Sequence, residues 1–219
     1  VDDNLNFLDG VCNILKTGGI LILEVPDLKS LVEKIGFDTI YHEHRHYYSE
    51  KSLLKILNLK KLNVFKIERI NYMAGSIRVY ASKKLSKKNI YKPSSVSLKD
   101  FKKFKEKIPK VINSINNFVK LNLRKNIKIY GIGAATKGNT LLNCCRLNTK
   151  KIISILEKSN LKINKFTPGT GIKIVSEQKH IYNNAYIILP WNITKHLKRK
   201  FLKNKETTYT SIQEIVKKL

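Results

Sequence analysis

Cysteine is scarce in this chain: three in 219 residues, two of them adjacent at Cys144 and Cys145. That supplies neither a C-x-x-C pair nor a disulfide framework, and predicts reduced, buried or inert thiols. No stretch approaches the roughly 18 unbroken apolar residues of a membrane span. The opening Val1-Asp2-Asp3-Asn4 also lacks the charged-then-apolar pattern of a signal peptide. These two absences predict a cytoplasmic chain with no membrane partner. Acids are few, 16 against 43 Lys and Arg, for a net charge of +27. The excess is overwhelmingly lysine, scattered beside asparagine and isoleucine, with no arginine-rich tract and no zinc-finger spacing, so no nucleic-acid partner is expected. A field of that sign still favours an anionic ligand such as a nucleotide diphosphate. Internal repeats are lacking too.

What is present is enough apolar residue, 42%, to bury a core in one large domain or two small ones. The periodicity breaks at residues 85–97, around Lys92-Pro93-Ser94-Ser95, which reads as a linker between a domain at 1–84 and another at 98–219. The chain starts without methionine, part-way into an apparent helix, and reads as a fragment. The first domain predicts a helix at 5–16, a strand at 20–25, a helix at 27–35, a helix opened by Ser49 as N-cap, and strands near 63–69 and 76–82. Those last two strands, joined by a short connection from Asn71 to Gly75, suggest a hairpin.

The second domain opens on an amphipathic helix carrying Phe101, Phe104, Ile108, Val111, Ile112, Ile115, Phe118 and Val119 at 3–4 spacing, with Pro109 expected to kink it. A strand at 127–130, a glycine loop at 131–138, a helix at 139–146, and strands at 152–156 and 186–189 follow. That alternation predicts a parallel sheet with helices on both faces.

Two constellations can carry chemistry. Residues 37–49 gather His42, His44, His46, Glu43, Tyr41, Tyr47 and Tyr48 just after a strand and a Pro26-Asp27 turn, where open α/β folds place ligands. In an extended backbone the three histidines would share one face, so an H-x-H metal site is one reading. Hydrogen-bonded surface residues are a second, and a histidine general base oriented by a carboxylate or tyrosine is the favoured third. The other constellation is the strand, glycine loop and helix at 127–146. Its glycines let a backbone approach a phosphate, and the helix N-terminus presents N–H groups to an anion. Gly131 and Gly133 fit G-x-G-x-x-G, but Thr136 takes the third glycine position. A turn that merely packs helix on strand therefore stays open beside ligand contact through Lys137.

Five ordered segments resemble the S-adenosylmethionine-dependent sugar-nucleotide C-methyltransferases. They are Phe37-Asp38-Thr39-Ile40-Tyr41-His42-Glu43-His44, Gly75-Ser76-Ile77-Arg78-Val79-Tyr80, the run from Gly131 through Lys137-Gly138-Asn139 to Asn143, Pro168-Gly169-Thr170, and Ile188-Leu189-Pro190-Trp191-Asn192. The resemblance implies an α/β protein: the back half of a Rossmann-like class I methyltransferase domain, its last strand antiparallel, followed by a second Rossmann-like α/β domain that helps bind the nucleotide sugar. It implies methyl transfer to a ring carbon next to the ketone of a nucleoside-diphosphate 4-keto-deoxysugar through an enolate. His44 would be the base, with Tyr41 and Glu43 beside it. Gly131, Gly133, Lys137, Asn139, Pro168, Gly169, Thr170, Trp191 and Asn192 would contact substrate.

Departures from the family pattern matter. Many members carry a histidine and a second glycine before Gly75, where this chain reads Tyr72-Met73-Ala74. The S-adenosylmethionine glycine motif, its acidic ribose partner and a zinc-binding module are expected upstream of Val1, leaving no metal site in this chain. The segment alone would bind the cofactor weakly and be inactive, which keeps a non-catalytic nucleotide-sugar-binding module open as the alternative.

Overall fold

A computed structural model describes residues 1–71, 74–84, 93–179, 184–201 and 207–219. Tyr72, Met73 and most of the expected linker, 85–92, lie outside the described residues. Packing divides the chain into two compact units, one of Val1–Gly36 and His42–Lys102, the other of Phe37–Tyr41 and Lys103–Leu219.

In the first unit, helix α1 (Asn4–Ile14) starts where the Asp3 carboxylate accepts from the amides of Leu5 and Asn6, satisfying donors that the first turn leaves orphaned. Strand β1 (Ile20–Pro26) leads through Asp27, the N-cap of α2 (Leu28–Glu33), toward α3 (Glu50–Leu59), which Ser49 and Ser52 open with reciprocal capping bonds. Strands β2 (Asn63–Ile70) and β3 (Ser76–Ser82) form the expected antiparallel pair. β3 also pairs antiparallel with β1, so the sheet order is β1-β3-β2, with the last strand inserted between the other two. Ile77, Val79 and Ala81 alternate inward on β3 and meet Leu8, Leu53, Leu57 and Leu62 in the core.

The second unit is α/β with a parallel sheet. Helix α4 (Leu98–Arg124), mostly in this unit, runs unbroken through Pro109 and buries Phe104, Val111, Ile115 and Val119 along one stripe. Then come β4 (Ile129–Ile132), α5 (Thr136–Cys144), β5 (Ile155–Glu157), β6 (Ile174–Ser176), β7 (Ala185–Ile188), α6 (Thr194–Phe201), β8 (Thr208–Thr210) and α7 (Ile212–Val216). All pairings are parallel, in the order β6-β5-β4-β7-β8. β4 and β7 are buried at every position, as a central parallel strand covered on both faces requires. Tyr130 and Tyr186, opposite one another, stack at 6.0 Å between ring centres.

The direction of winding changes between β4 and β7: the chain steps outward through β5 and β6, then returns to the other side of β4. The carboxyl ends of those two strands are the topological switch point, the crevice where open α/β sheets bind ligands. The sheet therefore chooses the place before any side chain does.

Candidate functional site

Residues 133–137 follow β4 and residues 190–192 follow β7, so both turns lie at the switch point. Gly133 holds φ +79, and a Cβ there would meet Pro190 Cγ at 2.7 Å. A side chain at Gly131 would strike Ile155 Cδ1 at 2.4 Å, and one at Gly138 would strike Leu189 Cβ at 2.5 Å. These glycines let strand, helix and turn close on one another; the space beside Gly131, Gly133 and Gly138 is filled by protein. Packing explains why these positions carry no side chain.

Helix α5 begins at Thr136, three residues earlier than the sequence pattern suggests, which places Lys137 in its first turn. Its N-cap is Ala135, which offers no side-chain acceptor, so the first-turn amides and the dipole remain open to an anion. The Lys137 ammonium lies 4.3 Å from the centre of the Trp191 ring and donates to Asn192 Oδ1. The indole Nε1 in turn donates to Asp38 Oδ2 at 2.8 Å.

Asp38 sits in the short 3-10 turn Phe37–Thr39, which packs on α5 as part of the second unit. Its side chain is fully buried, and Oδ1 has no hydrogen-bond partner. Burial pushes the Asp38 carboxyl up to about 7, against the opposing pull of Lys137 and the indole N–H. Burial likewise pulls Lys137 down to about 8, with Asp38 opposing. Asn139 Oδ1 is a second buried acceptor without a partner. Buried polar atoms are normally paired, so these two oxygens are unusual.

Four of the residues expected to touch substrate, Lys137, Asn139, Trp191 and Asn192, thus stand on α5 and the turn after β7. Pro168, Gly169 and Thr170 form a turn tied to α5 through Asn143, whose Nδ2 donates to Pro168 O at 3.1 Å and Asn139 O at 2.9 Å. Gly169, at φ +75, has Asn143 Oδ1 where its Cβ would be, 2.4 Å away. Thr170 is bonded to Thr167 through its hydroxyl, at 2.6 Å. Asp38 was missed by sequence reasoning as a site residue. Its partner Trp191 is 153 residues away, and no local pattern announces that pairing.

Glu157, at the end of β5, occupies the place of a ribose-gripping acid in a dinucleotide fold. Its carboxylate instead accepts from the amides of Ala134, Lys158 and Ser159 at 2.7 to 2.9 Å. With the glycine positions filled as well, this loop does not fit the adenosine end of S-adenosylmethionine.

In the first unit, Glu43, His44, Arg45 and His46 line a cavity of about 220 Å³ whose other walls include Val25 and Pro26 at the end of β1 and Leu8, Leu53 and Ile56 from the helices. His44 is half-buried there. The backbone bends and turns at 41–43 rather than extending, so the three histidines do not share one strand face; the expected extended geometry gives way to the turn. Among the described residues no group of three His, Cys, Asp or Glu side chains could hold a metal ion. Tyr41 packs with the second unit and is not part of this cavity's lining. His46 contacts Val1 O at 3.0 Å, and Arg45 pairs with Asp2.

The histidine segment is framed by buried charge. Arg69 on β2 reaches Asp27 at 3.3 Å and Glu50 at 2.9 Å. Asp27 also accepts from Lys29 N and Ser30, and Glu50 accepts from Ser94 N. Leu28 N donates to Tyr48 O at 2.9 Å, fastening the end of the segment to the start of α2.

The first unit carries a histidine-lined cavity and the second a half-buried lysine at its switch point, and the sequence comparisons give the family. Residues 72–212 match the C-methyltransferase C-terminal domain, and the chain belongs to the C-methyltransferase family. It is 28% identical over 221 residues to the C-methyltransferase NovU of Streptomyces niveus, an alignment covering 93% of this chain and 52% of that protein. The chain thus spans about half the length of the curated relative it matches.

Proposed function

We propose that this chain is part of an S-adenosylmethionine-dependent enzyme that methylates the ring carbon next to the ketone of a nucleoside-diphosphate 4-keto-deoxysugar. His44 acts as the base, and the second unit holds the nucleotide sugar through Lys137. The observation that carries this reading is the meeting of Lys137, Trp191 and Asn192 at the switch point of a chain in this family. The ammonium and the open first turn of α5 suit a diphosphate, and the half-buried Asn192 amide in the turn after β7 suits the polar groups of a nucleotide. In the first unit, the β1-β3-β2 order with an antiparallel last strand supports the methyltransferase half-domain. So do Ile20 and Ile22, exposed on β1 where further structure would cover them.

The step this chain's residues account for is proton removal. A C–H beside a ketone is acidic enough for imidazole once the enolate oxygen is stabilised, and His44 lies in a cavity with a largely apolar floor. Glu43 lines the same cavity and is assigned to orient it; Tyr41 is the third residue of the assignment. The methyl donor finds no cradle among the described residues of the glycine loop.

The test is His44→Asn in the full-length enzyme, assayed for methylated product with a keto-sugar nucleotide. A positioned base contributes roughly 10²–10⁴-fold, so turnover is expected to fall by about that factor while KM changes little. Unchanged turnover would remove His44 from the mechanism.

A further inference from the structure

The second unit buries a carboxyl group that methyl transfer does not call for. Asp38 is fully enclosed; one oxygen accepts from the Trp191 indole and the other has no partner. The charged group facing it from α5 is Lys137, with Cys144 further along the same helix, its thiol raised by burial and by Asp38. From the turn after β7 it meets the neutral indole of Trp191.

Lys137 is held by a ring face and an amide oxygen, neither of which neutralises it. The Asp38 carboxylate acts on it through space and favours its charged form. An anion arriving at the start of α5 would compete for the ammonium and place a second negative charge close to a buried carboxylate, which low-dielectric surroundings make costly. Protonation resolves the conflict: a neutral carboxyl group keeps Oδ2 as acceptor for Trp191 and turns Oδ1 into a donor.

We propose that Asp38 is a proton-accepting counter-ion built into this anion site: when an anionic ligand draws Lys137 onto itself, the Asp38 carboxylate takes one proton from solvent and becomes a neutral hydrogen-bonding acid. Binding is therefore coupled to proton uptake, and Asp38 becomes a residue that selects for anions. The identification of the anion as a diphosphate rests on the function proposed above; the protonation of Asp38 does not. A carboxyl already raised to about 7 makes the uptake measurable near neutrality.

The experiment is calorimetric titration of the chain at pH 7 in buffers of different ionisation enthalpy, with UDP-glucose and separately with sulfate. Neither probe changes its own protonation near that pH. With Asp38 half-ionised when free, about half a proton is expected to be taken up per ligand. Asp38→Asn, which keeps an acceptor for the indole, is expected to bring this below about a quarter, the remainder belonging to Lys137. Lys137→Met is expected to abolish binding of both anions. Chain fluorescence, which reports its single tryptophan, Trp191, confirms that each variant remains folded and that the ligand arrives at this site. Uptake with sulfate but no binding of UDP-glucose would support Asp38 and overturn the nucleotide-sugar reading. Binding of both with equal proton counts in native and Asp38→Asn protein would overturn the proposal and leave that reading standing. Failure of both to bind would overturn the two together.

Discussion

The two units bury acids in opposite ways. In the first, Asp27 and Glu50 are almost fully enclosed, yet one guanidinium, Arg69, reaches both, and backbone amides and Ser30 fill their other positions. In the second, Asp38 is as deeply buried but has one indole donor and an oxygen with no partner. Saturated carboxylates fix a frame: Asp27 caps α2 and Glu50 is the first residue of α3, the helix that follows the segment carrying His44. An undersaturated one is held away from its ordinary protonation range and can respond to a ligand. The number of partners, rather than burial, separates structural acids from those poised to act.

The largest way to sharpen this contrast is pH. For Asp38 the folded carboxyl lies at about 7 against an ordinary value of 3.8, so between those limits the folded state binds more protons than the unfolded one. Stability contributed by this group is present below about pH 4, is lost as pH rises toward 7, and the loss amounts to at most about 4 kcal/mol. Lys137, depressed to about 8 from 10.5, acts the other way: the unfolded chain binds more protons above pH 8, so stability recovers as pH rises further. Chemical denaturation across pH 4–10 is expected to show this valley at pH 7–8. In Asp38→Asn the falling limb should be gone; a limb of native size in that variant would mean the carboxyl is not perturbed.

Next in size is Arg69→Met, which strands two buried carboxylates. Breaking such pairs costs about 3–5 kcal/mol, and the guanidinium's 39% exposure puts the loss nearer 3 kcal/mol. Urea unfolding measures it, and a change below about 0.5 kcal/mol would break the contrast between the units.

Trp191→Phe removes the indole donor on Asp38 and should cost about 1–2 kcal/mol. Because the indole bond holds the carboxyl down, the falling limb of the stability curve should move to higher pH, which lost packing alone would not cause. The smallest change touches neither set of acids. Ala74 adopts φ +82 before Gly75, a backbone that favours glycine, so Ala74→Gly should gain about 0.5–1 kcal/mol. A loss would show that its methyl group packs.

Much of the fold was legible because its signals are local. The stripe on α4, the caps at Asp27 and Ser49, and the alternation along β3 announce themselves within a few residues. Strands β6 and β8 have three residues each and escaped because their pairing, not their pattern, makes them strands. α5 was placed too far along because Thr136 and Gly138 look like loop residues, whereas Gly138 is helical and needed for contact with Leu189. Lys137, Trp191 and Asn192 could be named in advance but not joined. Asp38 lay in view within a recognised segment, yet its character depends on desolvation and on a tryptophan 153 positions away, neither of which a linear pattern contains.

The central claim is that His44 removes a proton from carbon beside a ketone, and solvent exchange tests it without requiring methyl transfer. Full-length enzyme is incubated in D₂O with a nucleoside-diphosphate 4-keto-deoxysugar, and deuterium at the carbon next to the ketone is followed by NMR. Incorporation well above the uncatalysed rate, reduced by about 10²-fold or more in His44→Asn, is expected. Exchange at the same rate in both proteins would contradict the account.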